Sequence, residues 1–310
     1  MPIRDYKFEL ILGRGTFGTV HLVRRFRDGK PFVIKEQDLN PSSYRSFQMV
    51  MAEVDCLRKM RHPNIISYRG AWSEDNRSYI LMEYAMRGTL KDLLKKQQEP
   101  LKEEDTLYLF SQISLGVHHI HSKNVLHRDL KPENIMLTGR RAEIVKIGDF
   151  GVSRSVNELS RSHAGSYNYM APEMLKKEPC DFKCDIWSMG VVLYEMVANR
   201  LPFPAQTQEE IVEMVCNARP RPLPRNTRID TVNLLSKMLR RDAERRPTSY
   251  RVVHCPYLVP SIIRVCLNVG RNPNHAEWNA ENLEYHQFER FLKTRDPFPM
   301  EERRPRRRAI

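Results

Sequence analysis

No stretch of the 310-residue chain approaches the roughly 20 consecutive apolar residues that a membrane-spanning helix requires. The opening residues, MPIRDYKFEL, lack the apolar core of a secretion signal, so an intracellular chain is expected. Cysteine is sparse. Its six residues, Cys56, Cys180, Cys184, Cys216, Cys255 and Cys266, form no CxxC pair, which leaves reduced core or surface thiols as the expectation. Acids are also short, 38 against 51 lysines and arginines, and the net charge is +13. Such an excess invites a nucleic-acid or membrane reading. A fair share of it, however, crowds into Arg303, Arg304, Arg306, Arg307 and Arg308, where a solvated basic end is expected and a nuclear-import signal is the alternative. Nowhere do basic and aromatic residues interleave on a recognisable nucleic-acid module.

What is present is apolar content of 41%, enough for a substantial core in one large or two ordinary domains. Chemistry is densest at His127-Arg128-Asp129-Leu130-Lys131-Pro132-Glu133-Asn134. Asp129 could accept a proton from an attacking hydroxyl, Lys131 could neutralise charge on a transferring phosphoryl group, and Asn134 could hold a divalent cation by its carbonyl oxygen. Upstream, two β-prone apolar runs flank Gly13-Arg14-Gly15-Thr16-Phe17-Gly18. Because Thr19-Val20-His21-Leu22-Val23 continues as a strand where a dinucleotide fold would open a helix, a hairpin is predicted.

Pro31-Phe32-Val33-Ile34-Lys35 reads as a further strand ending in a lysine. From about Tyr44 to Met60, Phe47, Val50, Met51, Val54, Leu57 and Met60 recur at helical spacing, with Glu53 on the face they bury. A carboxylate there needs a cationic partner, since an unpaired buried charge is costly. Strands are expected around 65–68 and 79–82, and a long helix from about 102 to 122. That helix ends in His118-His119-Ile120-His121, whose rings should point in different directions and so make no metal site. The run from Asp185 to Val197 is apolar on nearly every face and reads as a buried helix, with Asp185 capping it and holding the catalytic loop's backbone.

HRDLKPEN matches the protein-kinase catalytic loop, and Asp149-Phe150-Gly151 follows Asp129 by twenty residues, as that family's magnesium-binding motif does. The chain therefore resembles a eukaryotic protein kinase over about residues 6–258. Lys131-Pro132-Glu133-Asn134 is similar to the serine/threonine class, and FVIKE, HPNII and NELSRSHAG are similar to the NIMA-related kinases. The resemblance implies an α+β bilobal kinase fold: a small β-rich N-lobe with one key helix and the hinge (1–85), a large mainly helical C-lobe (86–258), and a tail at 259–310 that is basic at its end. It implies Mg-ATP as phosphoryl donor, with Gly13, Gly15, Gly18, Val20, Val33, Lys35, Met82, Glu83 and Ala85 around the nucleotide. Asn134 and Asp149 would hold magnesium, Lys35 would pair with Glu53, and Asp129 and Lys131 would act in transfer.

Protein substrates follow from the resemblance, as does a switch by autophosphorylation or by an upstream kinase. Ser162 is the first candidate, Ser160 the second, and Arg128 the receiving cation. Ser166 keeps a hydroxyl for Asp129 and Lys131, Tyr167 replaces the usual proline, and β-branched Val152 goes with threonine acceptors. Glu173 of Ala171-Pro172-Glu173 would pair with Arg246. A cytoplasmic location, or a nuclear one by the basic end, is expected. The alternative function is a pseudokinase scaffold, whose usual mark, a lost lysine, aspartate or magnesium ligand, is missing here.

Overall fold

The computed structural model describes residues 3–15, 18–39, 44–149 and 167–270. The chain divides into two compact units, 1–265 and 266–310, and the described part of the second is the last turn of one helix.

The first unit begins with a five-stranded antiparallel sheet in the order β1-β2-β3-β5-β4, made by Tyr6–Gly15 (β1), Gly18–Arg25 (β2), Pro31–Asp38 (β3), Tyr68–Glu74 (β4) and Arg77–Glu83 (β5). Local chemistry sets the turns. Asp75 and Asn76 both adopt positive φ, 51° and 59°, the two-residue hairpin conformation those side chains tolerate, and they place Glu74 opposite Arg77. Strand alternation then divides the sheet's side chains. Tyr6, Val23, Ile34, Tyr79 and Leu81 form a core cluster with Phe32 and Trp72 packed on it, whereas Val20, Val33, Lys35 and Met82 line a cleft.

Helix α1 (Tyr44–Lys59) buries Val54 and Leu57, and Met60 after it, while Met51 is 42% exposed and so falls off the stripe that the spacing predicted. Ile65 and Ile66, where the sequence predicts the start of a strand, lie outside β4. Ile65 bridges Ile147, and the Ile66 amide donates to the Ile147 carbonyl at 2.9 Å, which ties this segment to the second half of the unit.

That second half is mainly helical: α2 (Leu90–Lys96), α3 (Glu103–Ser122), the short hairpin of β6 (Ile135–Thr138) and β7 (Ile144–Ile147), then α4 (Pro172–Leu175), α5 (Lys183–Ala198), α6 (Gln208–Asn217), α7 (Ile229–Met238), α8 (Ser249–Val253) and α9 (Val259–Gly270). Capping boxes open α2 (Thr89 with Asp92) and α6 (Thr207 with Glu210), satisfying amides that a first turn leaves unpaired. Helix α5 is buried almost throughout, with Ile186, Trp187, Met189, Val191, Val192, Leu193 and Met196 fully inside, as its all-round apolarity requires. Gly116 lets α3 approach β7: a Cβ there would lie 2.7 Å from Ile147 Cδ1 and 3.2 Å from the Asn64 carbonyl. Past Pro256, where the family resemblance ends, the chain continues into α9. Among the described residues no helix is long and apolar enough to cross a membrane.

Candidate active site

A cleft of ≈ 480 Å³ lies between the sheet and the helical half. Gly13, Gly15, Gly18 and Val20 of the β1–β2 hairpin line it together with Val33 and Lys35 of β3, and Leu57, Ile66 and Met82 contribute apolar wall. Glu83, Tyr84 and Ala85 connect the halves, and Met136, Asn134, Gly148 and Asp149 come from the helical half. All nine residues expected around a nucleotide therefore share one cavity. Gly18 must be glycine here: its φ is +113°, and a Cβ would meet the Glu36 carbonyl at 1.9 Å.

Lys35 is only 8% exposed, and its ammonium donates to Glu53 Oε1 at 2.6 Å. Gln37 holds the second carboxylate oxygen at 3.2 Å, so Glu53 is fixed from β3 by two side chains. Asp149 Oδ1 stands 3.6 Å from the same ammonium, in a residue at φ +48°. One cation thus organises two carboxylates from distant parts of the chain.

The catalytic-loop residues are bonded to one another. Lys131 donates to both oxygens of Asp129, at 2.8 and 3.1 Å, and the Asn134 amide donates to the Asp129 carbonyl at 2.8 Å and to its Oδ2 at 3.0 Å. With its nitrogen so committed, Asn134 keeps its carbonyl oxygen as an acceptor. His127 is fully buried. Its Nδ1 accepts from the Asp129 amide at 3.3 Å, so the ring is the Nε2–H tautomer, which donates to the Gly148 carbonyl at 3.0 Å. The Gly148 amide in turn donates to the Asn134 backbone carbonyl at 3.0 Å, which ties the loop to Asp149's neighbour.

Arg128 carries the loop's strain, at φ +66°. The restraint comes from Asp185, whose buried carboxylate accepts the His127 and Arg128 amides and His121 Nε2, each at 2.9 Å. Burial pushes the Asp185 carboxyl up, but the hydrogen bond and charge of His121, together with His127, outweigh it and hold the group below its ordinary value. The capping role expected of Asp185 is not observed. Helix α5 begins at Lys183 with Phe182 as its cap, and the Asp185 oxygens go to two loop amides and to His121 of α3.

The histidines of α3 diverge as expected. His118 meets Ser249 at 3.3 Å, His119 packs on His62, and His121 serves Asp185. Among the described residues no group of ligand side chains could hold a metal in that manner. Glu173 pairs with Arg246 through bonds of 2.6 and 2.8 Å. Phe150, Gly151, Val152, Ser160, Ser162 and Ser166 lie outside the described residues.

Sequence reasoning missed several features. Lys146, 6% exposed, pairs with the connecting residue Glu83 at 2.7 Å, although its place in a four-residue apolar strand carried no signal beyond an odd charge among Ile144, Val145 and Ile147. Met136, Leu57 and Ile66 line the cleft but read as ordinary core. Tyr169 donates to Glu195, which also accepts from Lys91 at 2.7 Å, joining the segment before α4 to α5 and α2. Burial first, then the Glu195 charge, pushes the Tyr169 hydroxyl far above its ordinary range, so it remains a donor.

Comparison with known proteins adds a second line of evidence. The protein kinase domain matches residues 6–258. Among curated proteins, Serine/threonine-protein kinase Nek4 of Mus musculus is 33% identical over 263 residues, covering 83% of this chain and 33% of the relative. Serine/threonine-protein kinase Nek5 of Homo sapiens is 34% identical over 258 residues, 81% of this chain and 36% of the relative. Serine/threonine-protein kinase nekl-2 of Caenorhabditis elegans is 31% identical over 279 residues, 86% of this chain and 78% of the relative. The chain thus spans about a third of the length of the first two and most of the third.

Proposed function

Because the chain belongs to the protein kinases, within the NIMA-related serine/threonine group, we propose that it transfers the γ-phosphoryl group of Mg-ATP to serine or threonine hydroxyls of protein substrates. The observation that carries this reading is the convergence of Lys35, Glu53, Asp129, Lys131, Asn134 and Asp149 from four separated segments on one cleft and the loop bordering it.

The residues fit the groups the reaction needs. Magnesium takes hard oxygen donors, and the Asn134 carbonyl and Asp149 carboxylate supply them. When bound, the ion would neutralise charge developing on the phosphates. Lys35, oriented by Glu53, faces the same charge from the β3 side, and the glycine hairpin admits phosphates against backbone. Backbone groups of Glu83 and Ala85 would recognise adenine. Asp129 orients the acceptor hydroxyl and accepts its proton, while Lys131 compensates the transferring group. Asp185 performs no chemistry itself. It holds the backbone on which Asp129 stands, and transfer that depends on positioning depends on that restraint.

Phosphorylation of the segment around Ser160 and Ser162, received by Arg128, would act as the switch. The test is transfer of labelled γ-phosphate to a generic protein substrate and to the chain itself. Wild type is compared with Asp149→Asn, each with and without phosphatase pretreatment. Transfer by wild type that vanishes in the variant is expected, with loss after phosphatase if the switch operates. ATP binding with no transfer from either protein would overturn the reading in favour of a scaffold.

A further inference from the structure

Strand alternation in β3 sets Lys35 and Gln37 on one face and Glu36 on the other, where Glu36 meets His21 and Arg77. The face shared by Lys35 and Gln37 looks onto α1. The Lys35 ammonium donates to Glu53 Oε1 at 2.6 Å, and the Gln37 side-chain amide donates to Glu53 Oε2 at 3.2 Å. A carboxylate only accepts, so this contact fixes which end of the Gln37 amide is nitrogen. The amide oxygen turns to β5, where Ser78, the register partner of Gln37, donates to it at 3.4 Å. The stem is held as well: a Cβ built on Gly18 would come 3.0 Å from Gln37 Cγ, so the side chain packs against the last glycine of the hairpin. One neutral side chain thus touches β2, β5 and α1.

The lining of the cleft includes Lys35 and Glu53 but, among the described residues, not Gln37. We propose that Gln37 is a positioning residue for phosphoryl transfer, which through Glu53 holds α1 at β3 and keeps the Lys35 ammonium aimed into the cleft. The inference rests on the phosphoryl-transfer reading and goes beyond it, since that reading uses only the Lys35 end of the Glu53 carboxylate.

A single bond from Lys35, a point charge on a flexible stem with rotatable donors, leaves the carboxylate free to turn. Positions two apart on a strand are separated by about 6–7 Å. Donors at 35 and 37 therefore grip the two oxygens from different points of β3 and remove that rotation. Glu53 is 9% exposed, so a lost donor is not readily replaced by water. An amide does this without adding charge: a second cation in its place would compete with Lys35 for the carboxylate, and an apolar side chain would leave Oε2 without this donor.

Two variants of the full chain test the role. Gln37→Leu removes the donor. Gln37→Glu keeps the shape but sets a new carboxyl against Glu53, with Lys35 on the other Glu53 oxygen and Asp149 3.6 Å from the Lys35 ammonium. The first readout needs no kinase activity: the chain without nucleotide is pulsed with acetic anhydride at pH 8 and mapped by mass spectrometry. Released from Glu53, the Lys35 amine is less often charged and less often covered, so its labelling relative to exposed Lys237 of α7 should rise about threefold in both variants. The second readout is transfer to a generic protein substrate. At pH 8 both variants should lose about tenfold in kcat/KM for ATP, the effect of one hydrogen bond to a charged group, with KM for the protein acceptor unchanged. In Gln37→Glu three carboxylates face one ammonium, so as pH falls to 6 the introduced carboxyl takes up a proton and can donate to Glu53. That variant should then regain activity relative to wild type, whereas Gln37→Leu should not, a divergence that a merely structural glutamine would not produce. Unchanged Lys35 labelling in both variants, unchanged kcat/KM, or a Gln37→Glu loss independent of pH would overturn the inference. A wild type that transfers no phosphate, while Lys35 labelling still rises in the variants, would instead overturn the phosphoryl-transfer reading and uphold the grip of Gln37 on the pair.

Discussion

Replacing Arg246 by methionine strikes the pair that ties α4 to the segment between α7 and α8. The guanidinium is 2% exposed and donates to Glu173 at 2.6 and 2.8 Å, to the carbonyls of Arg240, Lys183 and Arg241 at 2.6, 3.0 and 2.9 Å, and lies 5.1 Å from the Trp187 ring centre. Methionine retains apolar contact with Trp187 but leaves the Glu173 carboxylate, 8% exposed, without its counter-charge. Breaking a buried pair from one side costs about 3–5 kcal/mol. Against a total stability of about 5–15 kcal/mol, the variant should fold yet be markedly weakened. Urea unfolding of the full chain measures this as a fall in midpoint at unchanged slope. Adding Glu173→Gln removes the stranded charge, so the double variant should lose clearly less than the sum of the two singles. A single-variant loss under about 1 kcal/mol, or strict additivity in the cycle, would refute the claim that the pair is desolvated and coupled.

Three further outcomes are expected. Glu53→Gln weakens the hold on Lys35 by about 1.5–3 kcal/mol, roughly ten- to hundred-fold in kcat/KM for ATP, and an unchanged value would show that Lys35 orients without it. Lys146→Met releases Glu83 and should raise KM for ATP about tenfold with a small effect on KM for the protein acceptor, whereas equal effects on both would deny a role specific to the hinge. Asp185 is depressed in the folded state, so its contribution is present above the ordinary carboxylate range near pH 4 and is lost as pH falls through the folded value. Urea midpoints measured from pH 7 to 3 should therefore fall more steeply for wild type than for Asp185→Asn, and parallel curves would contradict the depressed value.

The catalytic loop was legible because its chemistry is compressed. Asp129, Lys131 and Asn134 lie within six residues, and the backbone of one turn suffices to bring them into contact. The hairpin was legible because glycines mark where backbone must turn and approach a ligand. The demand of Glu53 for a cation could be read from its place on a buried helix face, and Lys35 meets it. Helical spacing misled at Met51, which is exposed, and at Ile65 and Ile66 a run of β-prone residues pairs with β7 in place of extending β4.

Other features have no local signature, because each depends on which distant surfaces meet. Lys146 looks like an exposed charge until β7 is packed beside the connecting segment, where it becomes the partner of Glu83. Asp185 reads from sequence both as the cap of its helix and as the holder of the loop, and only the fold, which places it 2.9 Å from three donors, two of them loop amides 57 and 58 residues away, decides for the second role. Sequence by itself determined which groups the protein carries and which of them stand together along the backbone. Tertiary structure decided which charges are buried and what each faces, because desolvation and pairing are properties of surfaces brought together from remote segments.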